Sequence, residues 1–152
     1  MSVLEKIQEL LDSLNIKYGL LNHAPVYTSA DAAKIRDTGL SNGAKALVFV
    51  ADGEPVLIVV PGDKKVDLRK FKQLFKVKDL RMSSREEVKE ITTLEVGSIP
   101  PVGKAMNLKS YFDASLLDKE IVAFNAGSHS VSIRMKARDL IQAENPIIES
   151  FI

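Results

Sequence analysis

The sequence predicts an α/β fold: a single compact domain over residues 1–152, with a mixed central β-sheet and flanking helices. Three observations predict it. "AKALVFVA" and "PVLIVVPG" are continuous, β-branched apolar runs separated only by "DGE", the pattern of a hairpin at the centre of a sheet covered on both faces. Segments of helical period recur around them, several opened by a capping pattern. A chain of 152 residues is the size of one domain and long enough to bury a real core.

Taken in order, Ser2 precedes a helix running to about Asn15, with Leu4, Ile7, Leu10, Leu11 and Leu14 as its apolar face. "KYGLLN" reads as a short strand. "TSADAAKIRD" reads as a short helix opened by Thr28 and Asp31. The hairpin follows. In "PGDKKVDLRKFKQLFKVKDLR", Leu68, Phe71, Leu74 and Phe75 share a helix face and Asp67 caps its start. A strand is expected near "VKDLRM" and a helix at "SSREE", another capping box. "KSYFDA", "EIVAFNA" and "VSIRM" read as strands, and "KARDLIQAE" as a closing helix before an apolar tail.

Composition narrows the chemistry. No cysteine is present, which excludes disulfides, thiol nucleophiles and thiolate metal sites. With only His23 and His129, a structural zinc site is not expected, and neither metal nor cofactor is assigned. No apolar run approaches bilayer length and the N-terminus does not read as a signal peptide, so no membrane partner and a cytoplasmic location are expected. The net charge of +1 hides an uneven distribution: residues 61–81 hold eight bases and three acids, while both flanks are acidic. Lys64, Lys65, Arg69 and Lys72 are therefore candidates for nucleic-acid backbone contacts, beside the plainer reading of a solvated helix surface.

Several residues are candidates for the site. Lys45 stands at the mouth of the most apolar strand, where a partly desolvated ammonium could hold an anion or a carbonyl oxygen, or merely extend to solvent. His129 lies on a small-residue loop, Asp113 in "SYFDAS", and His23 before Ala-Pro. "EVGSIPPVG" packs two glycines and two prolines into seven residues, which excludes a regular helix or a central strand. It is a rigid connector or a backbone shaped to meet a ligand. No GxSxG elbow, P-loop or HExxH is present.

Together these stretches resemble the YbaK/ProX family of aminoacyl-tRNA deacylases, free-standing relatives of the editing domain inserted in bacterial prolyl-tRNA synthetases. "EVGSIPPVG" matches the family's GxxxP loop followed by Pro-x-Gly. "NHAPVYTSADAA", "AKALVFV", "VPGDKKVDLRKF", "YFDASLL" and "VAFNAGSHSVSIRMKARDLI" occur in family order over about 130 residues. The resemblance implies hydrolysis of the ester between a wrong amino acid, alanine or cysteine on tRNA(Pro), and the 3′-terminal adenosine. A size difference of about one methylene supplies only about 10–200-fold discrimination, so a second sieve is useful.

Carried over, the catalytic candidates are Lys45, which orients the substrate end, and Gly97, Ser98, Ile99, Pro100 and Pro101, whose rigid backbone offers donors to a developing oxyanion. His23, Asp113, Gly127, Ser128, His129 and Ser132 are substrate-binding candidates. Some bacterial members carry an aspartate where Ser132 stands, which argues against the cysteine-specific branch. The attacking group is a positioned water or a group of the substrate. The implied partner is the acceptor end of an aminoacyl-tRNA, with prolyl-tRNA synthetase as candidate protein partner and a homodimer as candidate assembly. A non-catalytic module that binds tRNA or a synthetase is the alternative of a different class, and hydrolysis of another small ester uses the same pocket.

Overall fold

A computed structural model describes residues 1–152. Helix α1 (Val3–Ser13) starts at Ser2, whose side chain accepts from the Glu5 amide while Glu5 answers the Ser2 amide, a reciprocal cap. Its buried residues are Val3, Ile7 and Leu11, whereas Leu14 is exposed beyond the helix end. Strand β1 (Tyr18–Asn22) leads to α2 (Ser29–Arg36), capped by Thr28 as expected. β2 (Ala44–Ala51) and β3 (Glu54–Pro61) form the expected antiparallel hairpin, turning at Asp52 and Gly53. α3 (Leu68–Phe75) is capped by Asp67, and α4 (Arg85–Thr92) by the box of Ser84 and Glu87. Between them lies the short β4 (Leu80–Met82). β5 (Lys109–Asp113), β6 (Ile121–Ser128), β7 (Val131–Lys136) and α5 (Ala137–Glu144) follow. The apolar tail adds β8 (Ile147–Glu149), a strand that the local sequence does not announce.

The α/β class is as expected, but the strands divide into two sheets. The larger is mixed, in the order β4-β2-β3-β5-β8, with β3–β5 and β5–β8 parallel. The smaller, β1-β7-β6, is antiparallel throughout. The β6–β7 hairpin pairs with β1 rather than joining the larger sheet, and a single bridge, Gly43 to Ala123, links the two. One face of the larger sheet is thus covered by the smaller sheet with α1, α4 and α5. Leu57 and Val59 of β3 meet Phe124, Ile133, Ile7 and Leu140 there. The other face carries α3 and the tail, where Phe49, Ile58 and Val60 pack with Phe71, Tyr111 and Phe151. Both faces of β3 are buried, which is why its sequence is apolar without alternation. On α3, Phe71 carries the packing with Phe75 half-buried, while Leu68 and Leu74, expected on the same inner face, are exposed. No helix is long and apolar enough to cross a membrane.

Candidate active site

The cleft arises from a strand that ends early. β4 pairs with β2 only over Phe49, Val50 and Ala51, and the Ser83 amide closes the ladder on the Val48 carbonyl at 3.0 Å. The Ser84–Glu87 cap then turns the chain into α4, so the edge of β2 from Ala44 to Leu47 has no neighbouring strand on that side. A cleft of about 180 Å³ opens along this edge. Its other walls are the start of α2 with Tyr27, the loop carrying Gly97 and Ile99, and Phe124 and Asn125 of β6.

Lys45 lines the cleft. Its Nζ donates to the Lys64 carbonyl at 2.7 Å, leaving further ammonium N–H groups for a ligand. Burial pushes its pKa below the ordinary lysine value. Repulsion from Lys65 adds to this, and Asp63 opposes it.

The GxxxP loop is built as a turn with its carbonyls tied back. The Ser98 amide donates to the Glu95 carbonyl at 3.1 Å, and Gly97 sits at φ +89°, as the third residue of a type II turn requires. The Ser98 hydroxyl donates to the same carbonyl at 2.7 Å. The Ser98 carbonyl accepts from the Gly127 amide at 3.0 Å, and the Gly97 carbonyl from Asn125 Nδ2 at 2.7 Å. Gly97 and Ile99 both line the cleft, and their amides donate to no protein group. Pro100 and Pro101 are buried behind the loop and line no wall. Ser98 is buried with its hydroxyl engaged, which removes it as a nucleophile.

Beneath the loop runs a polar chain centred on Arg36. Its Nε donates to Ser132 Oγ at 2.9 Å and its Nη2 to Asn125 Oδ1 at 2.7 Å. His23 Nε2 lies 2.7 Å from the same Ser132 hydroxyl, and its Nδ1 lies 2.8 Å from the Ala24 carbonyl, which makes Nδ1 a donor. For a neutral His23 the direction follows: Ser132 donates to His23, and Arg36 donates to Ser132 and to Asn125. Asn125 in turn donates to Gly97. Arg36 is 9% exposed, and burial pulls its pKa down to about 10.

The structure distributes the expected residues unevenly around the cleft. Lys45, Gly97 and Ile99 meet on the cleft. His23 and Ser132 stand behind it, in contact with Arg36. His129 faces a neighbouring groove with Glu95 and Tyr27. Its Nδ1 lies 3.1 Å from the Val26 carbonyl, its Nε2 3.6 Å from Glu95, and its ring 4.5 Å from that of Tyr27. Gly127 only braces Ser98, and Ser128 shapes the β6–β7 turn by bonding Ser130. Asp113 is not brought to the site. It is 1% exposed and accepts from the amide and hydroxyl of Ser115 and, at 2.8 Å, from the Phe151 amide. Lys64 and Lys65 border Lys45, and Arg69 and Lys72 continue from them along α3.

Sequence reasoning missed Arg36 and Asn125. Arg36 reads as an ordinary cation in a helix's last turn. A signal was present, because Ala32, Ala33 and Arg36 form the one buried face of α2. Asn125 precedes Ala126-Gly127 and reads as a strand end, with no local mark of its partners 28 and 89 positions away.

A family model described as an aminoacyl-tRNA editing domain matches residues 23–143, a span that holds every cleft group named above. The multifunctional Ser/Thr-tRNA deacylase ProXp-y of Escherichia coli (strain K12) is 28% identical over 152 residues, covering 97% of this chain and 91% of that protein. The prolyl-tRNA editing protein ProX of Acetoanaerobium sticklandii is 27% identical over 137 residues, covering 86% and 83%. A solved structure described as a proposed trans-editing enzyme for prolyl tRNA synthetase superposes with a TM-score of 0.83 at 26% identity, covering 99% of this chain and 97% of that one.

Proposed function

Because the chain belongs to the aminoacyl-tRNA editing domain family, in its YbaK/ProX group, we propose that residues 1–152 act as one trans-editing deacylase of mischarged tRNA. The reaction consumes one water and returns a free amino acid and the tRNA 3′-terminal hydroxyl. What carries the reading is that Lys45 and the undonated amides of Gly97 and Ile99 meet on one cleft. These N–H groups are positioned to take the negative charge that builds on the ester oxygen when it is attacked. Their frame is already fixed by the turn and by Asn125, so little reorganisation accompanies the reaction. The attacking oxygen is a water, which the neighbouring ribose hydroxyl can help to orient, since Ser98 is engaged and the loop carries no other hydroxyl.

The finer reading, alanine or cysteine removed from tRNA(Pro), rests on size. A cleft of about 180 Å³ with Ala32 and Ala46 in its walls suits a small acyl group. The similarity to ProX supports tRNA(Pro), with prolyl-tRNA synthetase as the source of the errors. The name of ProXp-y adds serine, of similar size to alanine and cysteine, and threonine, one methyl larger, so wall chemistry has to separate serine from the others. Lys64, Lys65, Arg69 and Lys72 form the side from which the phosphate backbone would approach.

The test is to incubate the protein with tRNA(Pro) carrying alanine, cysteine, serine or proline and follow ester loss. Loss of a small non-cognate ester with proline spared is expected, and Lys45→Ala should abolish it while leaving the unfolding transition cooperative. Persistence of every ester with tRNA still bound would replace the enzyme by an interaction module.

A further inference from the structure

The electrostatics of the cleft contain one group that the hydrolysis described above leaves unused. Arg36 lies on the buried face of α2 and lines the cleft, yet no carboxylate pairs with it. The paired carboxylates of the structure lie elsewhere, Glu87 with Arg81 and Glu95 at 3.6 Å from His129 Nε2. The Nε and Nη2 of Arg36 are spent on Ser132 and Asn125. Its Nη1 donates to no protein atom and is not among the polar atoms sealed away from solvent, and Arg36 is one of the residues that line the cleft. A desolvated guanidinium with an open donor is costly to keep and strongly favours a ligand that supplies an acceptor.

An aminoacyl ester offers few candidates for that acceptor. The α-ammonium is a cation and is repelled. The ester oxygen belongs to Lys45 and the loop amides on the reading above. The adenosine and its phosphates exceed the volume of the cleft. The remaining group is the amino-acid side chain. The methyl of alanine and the ring of proline carry no acceptor, and a thiol is a weak one. The hydroxyl of serine accepts from Nη1 and adds only one oxygen to the alanyl group; that of threonine does so with one further methyl.

We propose that Arg36 is the specificity-determining residue of the cleft, donating through Nη1 to a side-chain hydroxyl so that seryl and threonyl esters are selected over alanyl ones. This rests on the deacylase reading and revises its choice of acyl group. A site built to bond a substrate hydroxyl discriminates far more sharply than a size sieve, because the analogue without the hydroxyl leaves a buried donor bare. Ser132 and Asn125 fix the guanidinium plane, so the open donor has a defined direction.

The experiment compares kcat/KM for seryl- and alanyl-tRNA(Pro), with prolyl-tRNA(Pro) as the excluded substrate, in the protein and in Arg36→Met and Arg36→Lys. The unmodified protein is expected to favour serine over alanine by about 100-fold or more. Arg36→Met also loosens the tether through Asn125, so both rates fall. The serine rate should fall much further, bringing the ratio below about 10. Arg36→Lys keeps a cation and a donor on a shorter stem and should give an intermediate ratio. It also carries the test should the methionine variant fail to fold. Equal cleavage of serine and alanine, or a ratio unmoved by either variant, overturns the assignment and leaves the deacylase standing. Loss of no ester at all overturns the deacylase reading, and the role of Arg36 with it.

Discussion

At the scale of single residues, Lys45 shows how burial and function pull against each other. Its charged form is disfavoured by desolvation and by Lys65, so the folded chain releases that proton more readily than the unfolded chain does. Stability therefore rises as pH climbs from the lowered value towards 10.5, and at neutral pH the full destabilisation is present. On the proposed mechanism activity runs the other way, because there the ammonium is the species that meets the ester. Enzyme-dependent deacylation is expected to fall on the alkaline side at a pH below 10.5, and Lys65→Gln should move that limb upward by removing a like charge. A pH–rate profile corrected for spontaneous hydrolysis checks both. An unmoved limb would separate Lys65 from the site. Lys45 itself was legible in the sequence because a lysine opening an apolar strand is locally conspicuous. Asp113 was equally conspicuous, but its oxygens serve Ser115 and the Phe151 amide. A buried carboxylate looks the same in sequence whether it holds a ligand or a chain end.

At the scale of elements, the loop from 97 to 103 is held at both ends by backbone geometry. Beyond the two prolines, a β-carbon on Gly103 would collide with the Leu108 carbonyl and stand 2.7 Å from Glu144 Oε2. Glu144 is buried and accepts from the amides of Gly103 at 2.7 Å and Lys104 at 3.1 Å. Burial raises its pKa although these bonds oppose the shift. Gly103→Ala is thus expected to lower stability by about 1–3 kcal/mol, the range for overpacking. Denaturant titration checks this, and an unchanged midpoint would mean that the Leu108 turn yields freely. Four of the five α-helices were readable from their caps, since Ser2, Thr28, Asp67 and Ser84 signal within four residues, whereas α5 has no side-chain cap. β8 was not readable. It is a strand only because it lies parallel to β5, with Tyr111 opposite Ile147, and nothing in the local sequence specifies that neighbour.

At the scale of the whole molecule, charge and topology decide how a large polyanion meets a small cleft. Lys64 and Lys65 border Lys45, and Arg69 extends the cations along α3. Reversing Lys65, Arg69 and Lys72 to glutamate should weaken tRNA binding and flatten the plot of log affinity against log salt by about 0.7–0.9 for each phosphate no longer neutralised. A slope that does not change would return the stripe to ordinary solvated surface. The division into two sheets was hidden in the sequence for the same reason as β8. A strand's period shows which faces are buried, whereas its partner is set by pairing across the chain.

The polar chain under the loop has a consequence for how the protein comes into being. Its bonds join residues 109, 96, 89 and 28 positions apart, from His23 and Arg36 to Ser132, from Arg36 to Asn125, and from Asn125 to Gly97. Bonds of such separation close only after the intervening chain has lost most of its freedom. Helices and the β2–β3 hairpin can form locally and early, while the cleft exists only once both sheets have docked. A nascent or partly refolded chain would then be well structured and still inert, so that ester cleavage reports completion of the fold rather than its onset.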